Sequence, residues 1–475
     1  MHWLIGILVI FVFQAATILV LEYRRPANAM AWLFILFLFP IVGFVLYYFL
    51  AQEYQRRRKV RRRGGIDEHR RADILEKSRL VSGPEEMPSP EFARQERLFK
   101  LLRKAGASPI TGCNRTRVLT NAEAAYEAML AAIRAAKHHV HFSTYILRDD
   151  ETGRTFREEL IRKAREGVEV RLLYDGIGSI KIKKNFFAPL AEAGVEYASF
   201  FPLRPTFLKK RMNYRNHRKI LVTDGTRGFV GGINVGDEYL GKHPKLGFWR
   251  DTHLEAEGDA VYGLQEVFLK DWETATGLSP DGPDYFPRHG CTGSETVQIV
   301  AGGPNRRDDA IHETLFAALS VAKERIWITT PYFIPDASVA MALKTAAMSG
   351  VDVRLIVPLV PDTYLVHAAT MSYVDELMSY GVRFWQYARG FIHAKVVIVD
   401  RLMASVGTAN LDLRSFFSNF ETNALLFDGE RIAELERDFL QDLKDSREIE
   451  LSGFRKRPRS VKAKQALARM LSPLL

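Results

Sequence analysis

The chain carries the same polar pattern twice. His217-Arg218-Lys219 opens a run that reaches Asp224 and is followed by Gly231 and Asn234; His393-Ala394-Lys395 opens one that reaches Asp400 and is followed by Gly407 and Asn410. In both copies Lys stands two residues after His, Asp seven, Gly fourteen and Asn seventeen. Agreement at five polar or glycine positions is hard to reach by chance. A second match, Gly167-Val168-Glu169-Val170-Arg171-Leu172 against Gly350-Val351-Asp352-Val353-Arg354-Leu355, extends it. A chain that repeats itself in this way folds as two similar units.

Hydrophobic periodicity says what each unit is. Thr120 to Lys137 has helical spacing, His139 to Leu147 reads as a buried strand, Thr152 to Glu166 as a helix and Val168 to Tyr174 as a strand. The order returns with a helix over Asp309–Glu324, a strand over Arg325–Thr330, a helix over Ser338–Ser349 and a strand over Val351–Pro358. This alternation predicts α/β lobes with central mixed sheets related by a pseudo-twofold axis. The first lobe is expected over 106–285 and the second over 286–452, the split lying in the Pro- and Gly-rich stretch Gly277–Thr296.

Two apolar runs precede the lobes, Trp3–Leu21 and Ala29–Leu50, joined through Glu22, Arg24, Arg25 and Pro26. About 20 apolar residues match the roughly 30 Å hydrocarbon core of a bilayer, so residues 1–50 predict two transmembrane helices in a hairpin. A cleaved signal peptide fits less well, because the first run lacks a basic start and a second run follows at once. Arg56, Arg57, Arg58, Lys59, Arg61, Arg62 and Arg63 abut the second run. By the positive-inside rule they predict a multi-pass protein of the bacterial inner or plasma membrane with its body on the cytoplasmic side. Residues 51–105 read as basic linker and surface helices, and 453–475 as a basic tail. There Arg455, Lys456, Arg457, Arg459, Lys462, Lys464 and Arg469, interleaved before Leu471 and Leu474, suit an interfacial helix on anionic lipid.

The excess of 67 basic over 56 acidic side chains, +11 in all, favours partners that carry phosphate without choosing among them. Tethering beside lipid argues for anionic membrane lipids and against nucleic acid. Cys113 and Cys291 are the only cysteines; their spacing fits neither a disulfide framework nor a zinc site, and they read as unpaired thiols.

The chemistry resides in the duplicated pattern. Residues two apart on a strand share a face, so each His and Lys reach one ligand together. Lys219, Lys395, Asn234 and Asn410 are suited to spread the charge of a phosphate. Histidine performs both attack and proton transfer near neutral pH. Two lobes facing each other would place His217 and His393 on opposite sides of one phosphorus, one forming a phosphohistidine and the other serving as acid and base. With lysines and asparagines neutralising the charge, neither metal nor cofactor is expected. Asp251 and Glu421 are the candidate acceptors that orient the imidazoles, the sequence leaving open which acid serves which histidine. Ser143, Tyr145, Tyr332, Asp336 and Asp362 are candidates to line the cleft.

At these residues the chain resembles the phospholipase D superfamily and, within it, the bacterial cardiolipin synthases. Tyr174 to Ser179, Asn216 to Lys219, Gly231 to Tyr239, Thr330 to Asp336, Gly407 to Asn410 and Arg414-Ser415-Phe416 carry the likeness. It implies two tandem phospholipase D-like lobes whose catalytic set is His217, Lys219, Asp224, His393, Lys395 and Asp400, the aspartates supporting the architecture of the motif. It implies His217 as nucleophile and His393 as general acid and base. The reaction implied moves a phosphatidyl group between two phosphatidylglycerol molecules, giving cardiolipin and glycerol. A phospholipase D-type hydrolase and a non-catalytic scaffold that binds anionic lipid are the rival readings.

Overall fold

The structure is a computed structural model that describes residues 2–22, 26–50, 68–105, 108–201, 214–288, 290, 291, 293–306 and 308–472. Its centre is one fifteen-stranded sheet. The middle of that sheet is the antiparallel pair Ile110–Thr120 and Glu295–Gly302, with Ile110 opposite Gln298. Outward on one side follow Thr252–Gly258, Arg227–Gly231, Ile220–Thr223, His139–Thr144, Glu169–Asp175 and Glu196–Phe200. Outward on the other follow Glu421–Leu426, Met403–Gly407, Val396–Val399, Arg325–Thr329, Asp352–Pro358 and Arg383–Tyr387, and Ser446–Glu448 closes that edge. The two sequences of strands correspond one to one, which is the duplication expressed as a pseudo-twofold axis.

Separate central sheets were the expectation for the two lobes; the structure joins them. The strand that opens each half would otherwise present unpaired backbone at a sheet edge, and pairing the two removes both edges. Helices Glu151–Arg165 and Ala337–Met348 make the crossovers between the parallel neighbours His139–Thr144 and Glu169–Asp175, and Arg325–Thr329 and Asp352–Pro358. Parallel strands require such a crossover. One apolar cluster is shared between halves, taking Ile220, Val230 and Leu254 from one and Ile398, Val406 and Ala424 from the other. The lobes are therefore packed together on the same core that supports the motif strands.

The amino-terminal expectation is corrected. Among the described residues no helix is long and apolar enough to cross a membrane. The second apolar run breaks at Pro40 into Pro26–Leu38 and Pro40–Leu50, of 13 and 11 residues. At 1.5 Å per residue these extend only about 20 and 16 Å, against the roughly 30 Å needed; a proline inside a helix removes a backbone donor and clashes with the preceding turn. The first run forms the helix His2–Leu21, and Ile18, Ala29, Trp32, Leu36 and Tyr47 pack into one small core among the three helices. The two transmembrane spans, and the multi-pass placement with a cytoplasmic body derived from them, are withdrawn. Arg24, Arg25 and the basic block from Arg56 to Arg63 lie outside the described residues.

Two further expectations change. Cys113 and Cys291 are joined in a disulfide, with Cα atoms 5.2 Å apart; residues 178 apart in sequence meet because the connection between the lobes returns to the central strand, which spacing does not reveal. The basic tail folds onto the second lobe. Helix Arg459–Met470 packs Ala468 beside Ile334 and Ala369, Arg457 bonds Asp375 at 2.9 Å, and Arg469 pairs with Glu376 at 2.5 Å. Those two cations face protein carboxylates, and Leu474 lies outside the described residues.

Candidate active site

Each motif histidine sits just before a short central strand, Ile220–Thr223 or Val396–Val399, and its backbone is held by the opposite lobe. The His217 amide donates to the Phe420 carbonyl at 3.0 Å, and the His393 amide donates to the Arg250 carbonyl at 2.7 Å. Gly390–Ile392 pairs in parallel with Phe248–Arg250, and a matching bridge joins Asn216 to Phe420. These pairings place each histidine next to an acid of the other half. His217 Nδ1 lies 3.0 Å from both carboxylate oxygens of Glu421, and His393 Nδ1 lies 2.7 Å from Asp251 Oδ2. A carboxylate only accepts, so Nδ1 carries the proton and Nε2 keeps a lone pair.

Both histidines border one cleft of about 580 Å³, with Glu421 and Asp251 fully buried behind them. Lys219 Nζ donates to the carbonyl of His217 at 2.6 Å, and Lys395 Nζ likewise donates to the carbonyl of His393. Asn234 donates through Nδ2 to the Tyr239 hydroxyl at 2.9 Å and accepts from the Ile146 amide at 3.0 Å. Asn410 donates to Asp412 at 3.2 Å, while its buried Oδ1 has no partner among the described residues. Asn234 and Asn410 line the cleft with the histidines.

Burial sets the charge state. It pushes the His393 imidazole down to about 3, with Lys395 adding to the effect, and pushes His217 down against the pull of Glu421. Burial alone would raise the two acids. His393 and Lys395 hold Asp251 below its ordinary value, and His217 and Lys219 hold Glu421 below its own. Each pair therefore rests as a neutral imidazole against an ionised carboxylate. Burial also lowers Lys219 to about 7 and Lys395 to about 8, so both titrate near neutral pH and a bound anion favours their charged form.

Comparison with known proteins identifies the arrangement. The family model described as "Cardiolipin synthase, PLD-like domain" matches residues 129–272 and 315–443, and "Phospholipase_D-nuclease N-terminal" matches 3–52. A cardiolipin synthase 2 of Bacillus anthracis is 44% identical over 465 residues, covering 98% of this chain and 90% of the relative. A cardiolipin synthase of Halalkalibacterium halodurans is 41% identical over 479 residues, covering 100% of this chain and 95% of the relative. The chain belongs to the cardiolipin synthase family of the phospholipase D superfamily. Its activity is phosphatidyl transfer of the cardiolipin synthase type. The crystal structure of phosphatidylserine synthase from Haemophilus influenzae Rd KW20 shares the fold, with a TM-score of 0.59 at 14% identity over 80% of this chain and 100% of that one.

Within this family member the motif aspartates stand apart from the cleft. Asp224 accepts the amides of Lys137 and His138 at 2.8 Å and of His139 at 3.0 Å. Asp400 accepts those of Lys323 and Arg325 at 2.8 Å and of Glu324 at 2.9 Å. Each occupies left-handed backbone, φ 53° and 50°, and fastens the turn that enters the neighbouring strand. The motif glycines have a steric reason: a Cβ on Gly231 would sit 2.5 Å from His253 Cα, and one on Gly407 2.5 Å from Asn423 Cα. Tyr145, Tyr332 and Asp362 line the cleft. Ser143 is instead buried in strand His139–Thr144, and Asp336 caps helix Ala337–Met348 while bonding His312 at 3.0 Å.

Several supporting residues carry no signal at motif spacing. Arg218 pairs with Asp271 and donates to the Gly302 carbonyl at 2.7 Å and the Glu421 carbonyl at 3.1 Å, tying His217 to the strand that holds its acid. Arg250 bonds Asp442 at 2.8 Å beside Asp251. Trp249 packs 5.3 Å from the His393 ring and Tyr145 packs 4.9 Å from that of His217. Tyr145 is among the sequence candidates to line the cleft, whereas Trp249 has no signal beyond standing two residues before Asp251.

Proposed function

We propose that the chain transfers a phosphatidyl group from one phosphatidylglycerol to the free glycerol hydroxyl of a second through a phosphohistidine, giving cardiolipin and glycerol. The observation that supports this most is the pair of acid–imidazole contacts, each formed across the lobe boundary and both opening on one cleft. A phosphodiester set between the imidazoles meets Lys219 and Lys395, and its negative charge favours the charged form of two amines that burial brings to titrate near neutral pH.

One Nε2 attacks phosphorus in line while the other imidazole delivers a proton to the departing glycerol oxygen. That imidazole then takes the proton of the incoming hydroxyl, whose oxygen displaces the phosphohistidine nitrogen. The assignment implied by the resemblance has His217 as nucleophile and His393 as acid and base. Asp251 and Glu421 steady each imidazolium as it forms, and Asn234 and Asn410 border the position of the phosphoryl oxygens. The deciding experiment incubates purified protein with phosphatidylglycerol and identifies both products. Cardiolipin with equimolar glycerol is expected; phosphatidic acid in place of cardiolipin would make the chain a hydrolase. His217→Ala should leave no turnover, and activity equal to the parent would refute the mechanism.

A further inference from the structure

The two sides of the cleft share their dyads but differ in their rims. Stepping by the 176 residues from His217 to His393 takes Arg215 to Phe391, and stepping back takes Arg414 to Glu238. Arg215 and Arg414, one from each lobe, both line the cleft. Their counterparts are apolar or acidic: Phe391 packs on Trp249 with ring centroids 4.8 Å apart, and Glu238 pairs with Arg148 at 3.1 Å. The two halves thus share their catalytic pairs, while Arg215 and Arg414 stand where the other side has Phe391 and a Glu238 that pairs with Arg148, itself a cleft residue.

The nearby carboxylates Asp175 and Asp412 attract Arg215 and Arg414 and also hold local turns. Asp175 accepts the amides of Ile177, Gly178 and Asn216, each at 2.9 Å, and Asp412 accepts the Ser415 amide at 2.7 Å and the Asn410 side chain at 3.2 Å. Burial lowers Arg215, Asp175 pulls it back, and Arg414 adds repulsion between like charges. Asn419, another cleft residue, donates through Nδ2 to Glu421 at 3.2 Å, and its buried Oδ1 has no partner among the described residues.

The reaction supplies a ligand for such a wing. Joining two phosphatidylglycerol molecules requires two phosphodiesters one glycerol apart. One is the reacting group between the histidines; the other arrives with the acceptor and stays intact. The glycerol released in the first half-reaction carries no such charge. We propose that Arg215 and Arg414 form a subsite for the acceptor's own phosphodiester, with Asn419 Oδ1 accepting the remaining hydroxyl of the bridging glycerol. This rests on the transfer reading above. In the second half-reaction the phosphorus–nitrogen bond breaks, the acceptor oxygen bonds to phosphorus and its proton passes to the second imidazole. With free glycerol as acceptor the same step regenerates phosphatidylglycerol and needs no second anion.

That difference isolates the subsite. Full-length protein in mixed micelles is given phosphatidylglycerol and labelled glycerol, and cardiolipin formation and label exchange into phosphatidylglycerol are measured together. Arg215→Gln and Arg414→Gln should each lower the ratio of cardiolipin to exchange roughly 10- to 100-fold, the range for losing one charge-assisted contact. Arg215→Lys and Arg414→Lys should recover part of the ratio, and they carry the test where a Gln variant does not fold. An unchanged ratio overturns the proposal, as does a parallel fall of both activities in protein that melts like the parent. Parent protein that releases no glycerol from phosphatidylglycerol would instead refute the transfer reading on which the subsite rests.

Discussion

The crossed acid–histidine pairs make a quantitative prediction about Asp251. In Asp251→Asn a neutral amide faces His393 Nδ1, still able to accept one hydrogen bond but unable to balance an imidazolium. The present contact is 2.7 Å and Asp251 is fully buried. Unit charges about 4 Å apart at an effective dielectric of ~20 interact by about 4 kcal/mol, and about 4 kcal/mol in a transition state is roughly a thousandfold in rate. The assay is cardiolipin formation under saturating phosphatidylglycerol for the parent, Asp251→Asn, His393→Ala and the double variant. Asp251→Asn should lose about a thousandfold, and adding it to His393→Ala should cost almost nothing more, because the acid acts through the imidazole. A loss below threefold in the single variant, or additive losses in the double, would refute the reasoning.

Three other outcomes follow from the geometry. Sulfate keeps its charge across neutral pH, so its competitive inhibition should weaken as pH rises through 7 to 8, where Lys219 and Lys395 lose their protons in the free enzyme; Lys395→Arg should flatten that profile when the inhibition constant is measured from pH 6 to 9. Gly407→Ala forces a methyl to within 2.5 Å of Asn423 Cα and should destabilise the fold by about 1–3 kcal/mol, read as a lowered denaturant midpoint with an unchanged slope. Asp400→Ala removes the acceptor of three amides and should lower the melting temperature while changing turnover per folded molecule by less than about threefold; an intact melting curve with abolished turnover would place Asp400 in the chemistry instead.

The duplicated motif made the α/β alternation and the cleft residues legible, because strand period and residue spacing are local properties. The helices expected over Thr152–Glu166 and Ser338–Ser349 appear at Glu151–Arg165 and Ala337–Met348. Joining the halves into one sheet depends on the pairing of Ile110–Thr120 with Glu295–Gly302, a long-range contact with no pattern of its own. The apolar runs at the amino terminus were counted by length and composition, with Pro40 taken as tolerable inside a span because neighbouring groups can satisfy the freed backbone; the second helix instead breaks there. Arg215 escaped notice for a different reason, and Arg414 was noticed only within Arg414-Ser415-Phe416: both are places where the duplication fails, and a search for agreement between copies passes over them.

The acids show most clearly why the site exceeds its motifs. Glu421 lies in the same half as His393 in sequence, yet it contacts His217, and Asp251 in the first half contacts His393. Neither lobe alone contains a complete dyad, so the neutral, oriented imidazole that phosphoryl transfer requires exists only when the halves are docked. The shared core of Ile220, Leu254, Ile398 and Val406 is then a condition of catalysis as well as of stability. A substitution that loosens it, such as Val406→Ala, should lower turnover even with every cleft residue intact. Fluorine-labelled histidine would show the two ring signals moving together as the lobes separate. Loss of turnover with both ring signals unmoved would break the link between docking and chemistry.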